Sequence, residues 1–75
     1  MSMHYLMRDV NASWYCRIRR KAEEVGVDPE IIRRFERAQY IVRDGPESWT
    51  NITDEAWEEI KDALAKKGVN IGDIQ

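Results

Sequence analysis

The chain has 75 residues, so it forms one small domain, near the lower size limit at which a single hydrophobic core supports folding. Its 43% hydrophobic content is ordinary for a globular protein and excludes wholesale disorder. A single cysteine excludes an internal disulfide, and no secretory signal or membrane-spanning apolar run occurs. We therefore expect a cytoplasmic protein with no membrane partner.

The net charge of −2 conceals an asymmetry between two parts of the chain. Residues 1–43 hold nine Lys or Arg against six Asp or Glu, whereas residues 44–75 hold three against eight. This division indicates a basic face on an acidic body, or two faces with different partners. It disfavours a strong nonspecific polyanion binder, for which a basic total is expected.

The first part of the chain is interpreted as an N-terminal arm or short strand over residues 1–12, followed by one domain over residues 13–75. Asn11 or Ser13 can cap a first helix that runs to Val25. Gly26 ends this helix because glycine adopts the left-handed backbone conformation without steric cost. The core-facing stripe of the helix consists of Trp14, Tyr15, Ile18, Ala22 and Val25.

A second helix begins at Asp28 and Pro29, which suit the capping position and the first helical position. We expect it to end near Gln39, since Ile41 would otherwise project into its basic face. A strand over residues 40–43, a turn over 44–46 and a returning strand over 49–52 then form a β-hairpin. The inner side of the second helix comprises Ile31, Ile32, Phe35, Ala38 and Val42.

The third helix is capped by Thr53 and ends at Gly68. Its inner stripe comprises Ala56, Trp57, Ile60, Ala63 and Leu64. Its outer face is acidic and comprises Asp54, Glu55, Glu58, Glu59 and Asp62. The order of elements predicts an α+β, mostly helical fold, namely a winged helix-turn-helix with three helices and a small β-hairpin.

One segment resembles the helix-turn-helix of the MerR family and related phage excisionases. Ala22 is followed, after three residues, by "GVDP" at 26–29 and then by "IRRFER" at 32–37. Two later stretches, "NITDEAWEEIKDAL" and "AKKGVNIGDIQ", resemble the family's passage from the wing into its third helix and the end of that helix. The resemblance covers residues 18–75 and implies a bare DNA-binding domain without an effector-sensing part.

Five positions depart from the family pattern. Thr50 or its neighbour stands where the family tends to place a wing arginine that touches phosphate. Asp28 and Glu30 place acids at the start of the presumed reading helix, where a phosphate would otherwise bind. Gln39 replaces a family glycine and Lys21 an apolar residue.

The candidate nucleic-acid contacts lie on the second helix and the wing. Arginines there can bind phosphates and base edges. The alternative is that they are solvated residues that pair with Glu30 and Glu36. The candidates are Arg33, Arg34, Arg37, Tyr40 and Arg43. A second basic cluster on the first helix, at Arg17, Arg19, Arg20 and Lys21, is interpreted as a solvated face.

These features favour a small transcription regulator whose partner is duplex DNA, with a homodimer as one way to enlarge its interface. The alternative is a protein-binding adaptor on a winged-helix scaffold. It would contact a protein of the transcription or chaperone machinery, such as RNA polymerase, directly. Its candidate docking residues are Glu55, Glu58, Glu59 and Asp62.

An enzyme is not expected, and neither catalytic residues nor a cofactor are predicted. His4 and Cys16 are the only soft metal ligands, which is too few for a structural zinc site. Trp14 and Trp57 are interpreted as core residues rather than as a platform for stacked bases, and Trp49 lies on the predicted wing.

Overall fold

The computed structural model describes residues 7–41 and 49–74. These residues form an α+β fold of the winged helix-turn-helix class. In chain order the elements are β1 (Met7–Asn11), α1 (Ala12–Glu24), α2 (Pro29–Arg37), β2 (Gln39–Ile41), β3 (Trp49–Thr53), α3 (Asp54–Lys66) and a 3-10 turn (Ile71–Asp73).

Helix α1 starts at a side-chain cap, as predicted. The Asn11 Oδ1 atom accepts hydrogen bonds from the backbone N–H groups of Ser13, at 2.9 Å, and Trp14, at 3.4 Å. These bonds satisfy donors that have no partner within the helix. At the other end Gly26 has a φ of +82°, which confirms the left-handed turn. The chain therefore reverses here and leads into α2.

Helix α2 is shorter than the sequence predicts. Asp28 caps it by accepting a hydrogen bond from the Glu30 N–H at 2.9 Å, but it ends at Arg37 rather than near Gln39. The physical reason is the sheet: Gln39 pairs with Ile52 in β3, and its side chain donates a hydrogen bond to Thr50 Oγ1 at 3.2 Å. Strand β2 consequently begins one residue earlier than predicted. Val42, Arg43 and the turn over 44–46 lie outside the described residues.

The sheet has three antiparallel strands in the order β1-β3-β2. Strands β2 and β3 form the predicted hairpin, and β1 pairs with the other edge of β3, with Val10 opposite Thr50. Val10 and Ile52 are almost fully buried. The short strand predicted near the N-terminus is therefore a structural part of the wing sheet and of the core.

Helix α3 packs its predicted inner stripe against the core. The Thr53 Oγ1 atom accepts a hydrogen bond from the Ala56 N–H at 3.2 Å, which confirms the cap. Trp57, Ile60 and Leu64 are buried. The core comprises buried residues from β1, α1, α2, β3 and α3, together with Val27, Ile71 and Ile74. One core thus holds both helices of the helix-turn-helix, the sheet and α3.

Candidate nucleic-acid interface

The orientation of α2 is set by two apolar side chains. Ile32 and Phe35 are buried, with exposed fractions of 8% and 1%. Phe35 stacks on Tyr15 of α1, with the ring centroids 4.6 Å apart and the planes inclined by 16°. Because these contacts lock one side of α2 onto the core, its opposite side faces solvent. Three of the predicted nucleic-acid contacts, Arg33, Arg34 and Arg37, lie exposed there.

Arg33 forms an ion pair within its own helix. Its Nη1 atom donates a hydrogen bond to Glu30 Oε1 at 2.9 Å, and both side chains are about half exposed. An exposed pair at this spacing contributes only about 0.2–0.5 kcal/mol, so it is easily exchanged for another anion. Arg33 is therefore accessible despite its partner.

Arg34 is held more firmly, by a residue of another helix. Its Nε atom donates to Glu59 Oε1 at 3.1 Å, and its Nη2 atom donates to Glu59 Oε2 at 2.7 Å. This bidentate contact links α2 to α3. The hydrogen bonds from Arg34 lower the pKa of Glu59, because they favour the charged carboxylate. Glu59, predicted on the outer face of the third helix, is 35% exposed and lies at the edge of that face beside α2.

Arg37 is exposed, and no ion pair joins it to another residue of the described ranges. The expected pairing of an α2 arginine with Glu36 is not observed, since Glu36 lies 3.7 Å from Arg19 of α1. Arg34 and Arg37 line a cleft of about 410 Å³ between α2 and the start of α3, with Glu55 on the opposite side. Among the arginines of α2, Arg37 is thus the one that forms no ion pair with a carboxylate of the described residues.

Of the two predicted contacts on the wing, the described residues include only the backbone of Tyr40. Tyr40 lies in β2 opposite Asn51, but its side chain and the whole of Arg43 lie outside the described residues. Thr50 is 1% exposed and accepts the hydrogen bond from Gln39. The position discussed for a wing phosphate contact is therefore a buried sheet residue, which helps to join β2 to β3.

The acidic face of α3 is largely paired with neighbouring cations. Glu58 lies 3.5 Å from Lys61, and Asp62 lies 3.3 Å from Lys66. Glu59 is held by Arg34, as described above. Of the four predicted docking residues, only Glu55 lies outside an ion pair within the described part of the chain. Because these pairs are exposed, they reduce the local negative charge without fixing the side chains firmly.

Helix α1 carries further exposed cations. Arg19 lies 3.8 Å from Glu23, and Lys21 lies 3.4 Å from Glu24. Arg17 and Arg20 are exposed on the side of α1 away from the core. Arg17 and Arg20 agree with the interpretation of a solvated face, whereas Arg19 and Lys21 are half-buried.

Residues 7–41 and 49–74 contain neither a metal-binding cluster nor a membrane-spanning helix. No cluster of three or more His, Cys, Asp or Glu side chains there could hold a metal ion, and Cys16 is exposed. None of the helices in these ranges has the length and apolar character needed to cross a bilayer.

Comparisons of the chain with protein-family models, curated proteins and solved structures find no match. The resemblance to the MerR family and excisionases therefore stays a prediction from the sequence motifs, and the function rests on the site itself.

Proposed function

We propose that the protein is a small transcription regulator that binds duplex DNA through α2, with the β2–β3 hairpin as its wing. The observation that carries this proposal is the exposed basic side of α2, which the turn at Gly26 and the buried Ile32 and Phe35 direct toward solvent. With its side chains an α-helix is about 10–12 Å in diameter and therefore fits into a major groove about 12 Å wide. Winged helix-turn-helix proteins use their second helix in this way.

Arg33 and Arg37 are the contacts we expect to matter most. They are four residues apart and therefore project from adjacent turns on the same side of α2. A guanidinium group can bind a phosphate or form two hydrogen bonds with guanine. So small a domain offers a limited interface, and specific binding is expected to need a homodimer, adjacent sites or a partner protein. This agrees with the resemblance to excisionases, which implies the same bare domain.

A pair of charge-reversed variants tests the proposal. Arg33→Glu combined with Arg37→Glu places negative charge on the proposed interface. Arg17→Glu combined with Arg20→Glu makes the same change in net charge on the outer side of α1 and serves as the matched control. Binding to mixed-sequence duplex DNA is measured by fluorescence anisotropy at several salt concentrations.

We expect the α2 variant to lose DNA binding and the α1 variant to retain most of it. For the wild type, log K should fall linearly with log salt, with a slope of about −0.9 for each phosphate contact. Equal losses in the two variants would show that only overall charge matters. A wild-type affinity that does not change between about 50 and 200 mM salt would contradict the proposal.

The second candidate function is the protein-binding adaptor. The observation in its favour is the acidic start of α2, where the Asp28 carboxylate already accepts the hydrogen bond of the Glu30 N–H. A DNA phosphate would compete for that end of the helix. If the α2 variant keeps DNA binding but loses capture of a defined partner such as purified RNA polymerase, the adaptor function is favoured.

A further inference from the structure

The contact between Arg34 and Glu59 uses two donor atoms that could otherwise bind DNA. Arginine recognises guanine or phosphate with two parallel N–H donors. In this protein Nε and Nη2 of Arg34 both donate to Glu59, at 3.1 and 2.7 Å. The remaining nitrogen, Nη1, lies 4.0 Å from Glu30 Oε2. One of the two donor edges of Arg34 that suit bidentate recognition, Nε–H with Nη2–H, is therefore occupied by Glu59, and Glu30 lies beside the Nη1 atom of the other edge.

The other arginine of α2 that has a carboxylate partner is held differently. Arg33 forms one hydrogen bond with Glu30, three residues before it on the same helix. Arg34 forms two hydrogen bonds with a residue on a different helix, and a planar bidentate pair is both stronger and more directional. DNA must therefore displace a carboxylate from two donors of Arg34 before it can use them, but from only one donor of Arg33.

From this geometry we infer that Glu59 determines DNA affinity by withholding Arg34 from the nucleic acid. The wild-type protein then binds through Arg33 and Arg37, and Arg34 joins the interface only when Glu59 is removed. This inference rests on the proposed function. In this inference Glu59, which lies in α3 outside the helix-turn-helix, determines how many arginines of α2 contact DNA.

The position of the pair allows Glu59 to be changed without damage to the core. The side chains of Arg34 and Glu59 are 51% and 35% exposed. They lie between the cleft described above and a second cleft of about 450 Å³, and Glu59 lines both. Exposed ion pairs contribute little to stability, so we expect Glu59→Ala to fold.

The test compares Glu59→Ala with Glu55→Ala. Both variants remove one negative charge from the same side of α3, and both residues line the cleft that Arg37 enters. Only Glu59→Ala releases an arginine. For Glu59→Ala we expect mixed-sequence duplex DNA to bind more tightly, by roughly tenfold at 50 mM salt, with a log K against log salt slope steeper by about 0.9. Glu55→Ala should leave the slope unchanged.

Two variants of Arg34 complete the design. In the wild-type background, Arg34→Ala should change DNA affinity less than twofold, because Arg34 is not used. In the Glu59→Ala background, the same substitution should abolish the gain in affinity and restore the shallower slope. The NMR signal of the Arg34 Nε–H group reports the ion pair without DNA. It should exchange slowly with water in the wild type and rapidly in Glu59→Ala.

The outcomes separate the inference from the function on which it rests. If the wild type and every variant fail to bind DNA, the proposed function is wrong. If the wild type binds but Glu59→Ala behaves like Glu55→Ala, the inference alone is wrong. It is also overturned if Arg34→Ala weakens the wild type as strongly as Arg37→Ala does, since Arg34 would then already contact DNA.

Discussion

Tyr15 connects the first helix of the helix-turn-helix to the second. Its ring stacks on Phe35, its hydroxyl donates a long hydrogen bond of 3.5 Å to the Phe35 carbonyl oxygen, and 4% of its surface is exposed. Burial and, to a lesser extent, the nearby carboxylate of Glu36 together raise the pKa of Tyr15 from 10.0 to about 12. The phenol is therefore neutral in the folded protein over the whole range in which DNA binding would be studied.

The raised pKa predicts a loss of stability in alkaline solution. Above pH 10 the unfolded chain loses the Tyr15 proton, whereas the folded protein keeps it up to about pH 12. Folding stability from this group is complete below pH 10 and decreases between pH 10 and 12, by at most about 2.7 kcal/mol. Tyr15→Phe should cost about 1 kcal/mol or less at pH 8, where it removes one long hydrogen bond.

Urea unfolding of the wild type and of Tyr15→Phe between pH 8 and 12 measures this effect. The free energies of unfolding should converge or cross as the pH rises from 10 to 12, because the variant has no phenol to titrate at this position. Lysines and the other tyrosines titrate in both proteins and cancel in the difference. Parallel curves over this range would mean that Tyr15 does not titrate differently in the two states.

For individual residues, the sequence pattern predicted the exposed arginines of α2 but not the carboxylate that pairs with Arg34. Helical periodicity places Arg33, Arg34 and Arg37 outside, and all three are exposed. Glu59 is three residues after Ala56 and four before Ala63, on the edge of the inner stripe. That spacing indicates a boundary position, but which helix lies beside the boundary depends on tertiary packing. The ion pair between Arg34 and Glu59 was for this reason beyond prediction from periodicity.

Among the elements, the turn between α1 and α2 depends most on a single residue. Gly26 has a φ of +82°, and no atom outside its immediate neighbours lies within 4 Å of where a Cβ would stand. The cost of a side chain is therefore confined to the backbone. Gly26→Ala should destabilise the protein by about 1–2 kcal/mol, and Gly26→Asn by less, because asparagine tolerates the left-handed region better.

Gly72→Ala is the matched control for that prediction. Gly72 lies outside the left-handed region, and its nearest atom to an added Cβ is Asn70 Oδ1 at 3.4 Å. Chemical denaturation should show a change below about 0.5 kcal/mol for this variant. If both alanine variants lose the same stability, or neither loses any, the left-handed backbone conformation of Gly26 does not require a glycine at this position.

The helices were more predictable than the strands. Each of the three helices begins at the predicted cap, Asn11, Asp28 or Thr53, because capping is a local interaction between residues close in sequence. The pairing of β1 with β3 joins residues 38 to 46 positions apart in the sequence, and only the fold creates it. The pairing of β2 with β3 ends α2 at Arg37, whereas helical periodicity alone allowed the helix to continue to Gln39.

At the scale of the whole molecule, both ends of the described chain contact the central helices. Val10 of β1 and Ile74 after the 3-10 turn belong to the buried core. Trp14 of α1 donates a hydrogen bond from its Nε1 atom to the Ile74 carbonyl oxygen, and it meets Trp57 of α3 edge to face at 5.4 Å. Arg8 lies over the Trp57 ring and forms an ion pair with Asp54. One cooperative unit is therefore expected.

This cooperativity leads to a prediction for strand β1. Val10 is 1% exposed, and Val10→Ala removes two buried methyl groups, which should cost about 2 kcal/mol and lower Tm by roughly 10 °C. Asp9→Ala, at the exposed neighbouring position, should change stability by less than about 0.5 kcal/mol.

Thermal unfolding is followed by far-UV circular dichroism, which reports the helices, and by near-UV circular dichroism of the tryptophans. Because β1 shares the core with all three helices, Val10→Ala should shift both transitions equally. A shift in the tryptophan signal alone would show instead that the tertiary packing around Trp14 and Trp57 is lost before the helices unfold, which would contradict a single cooperative unit.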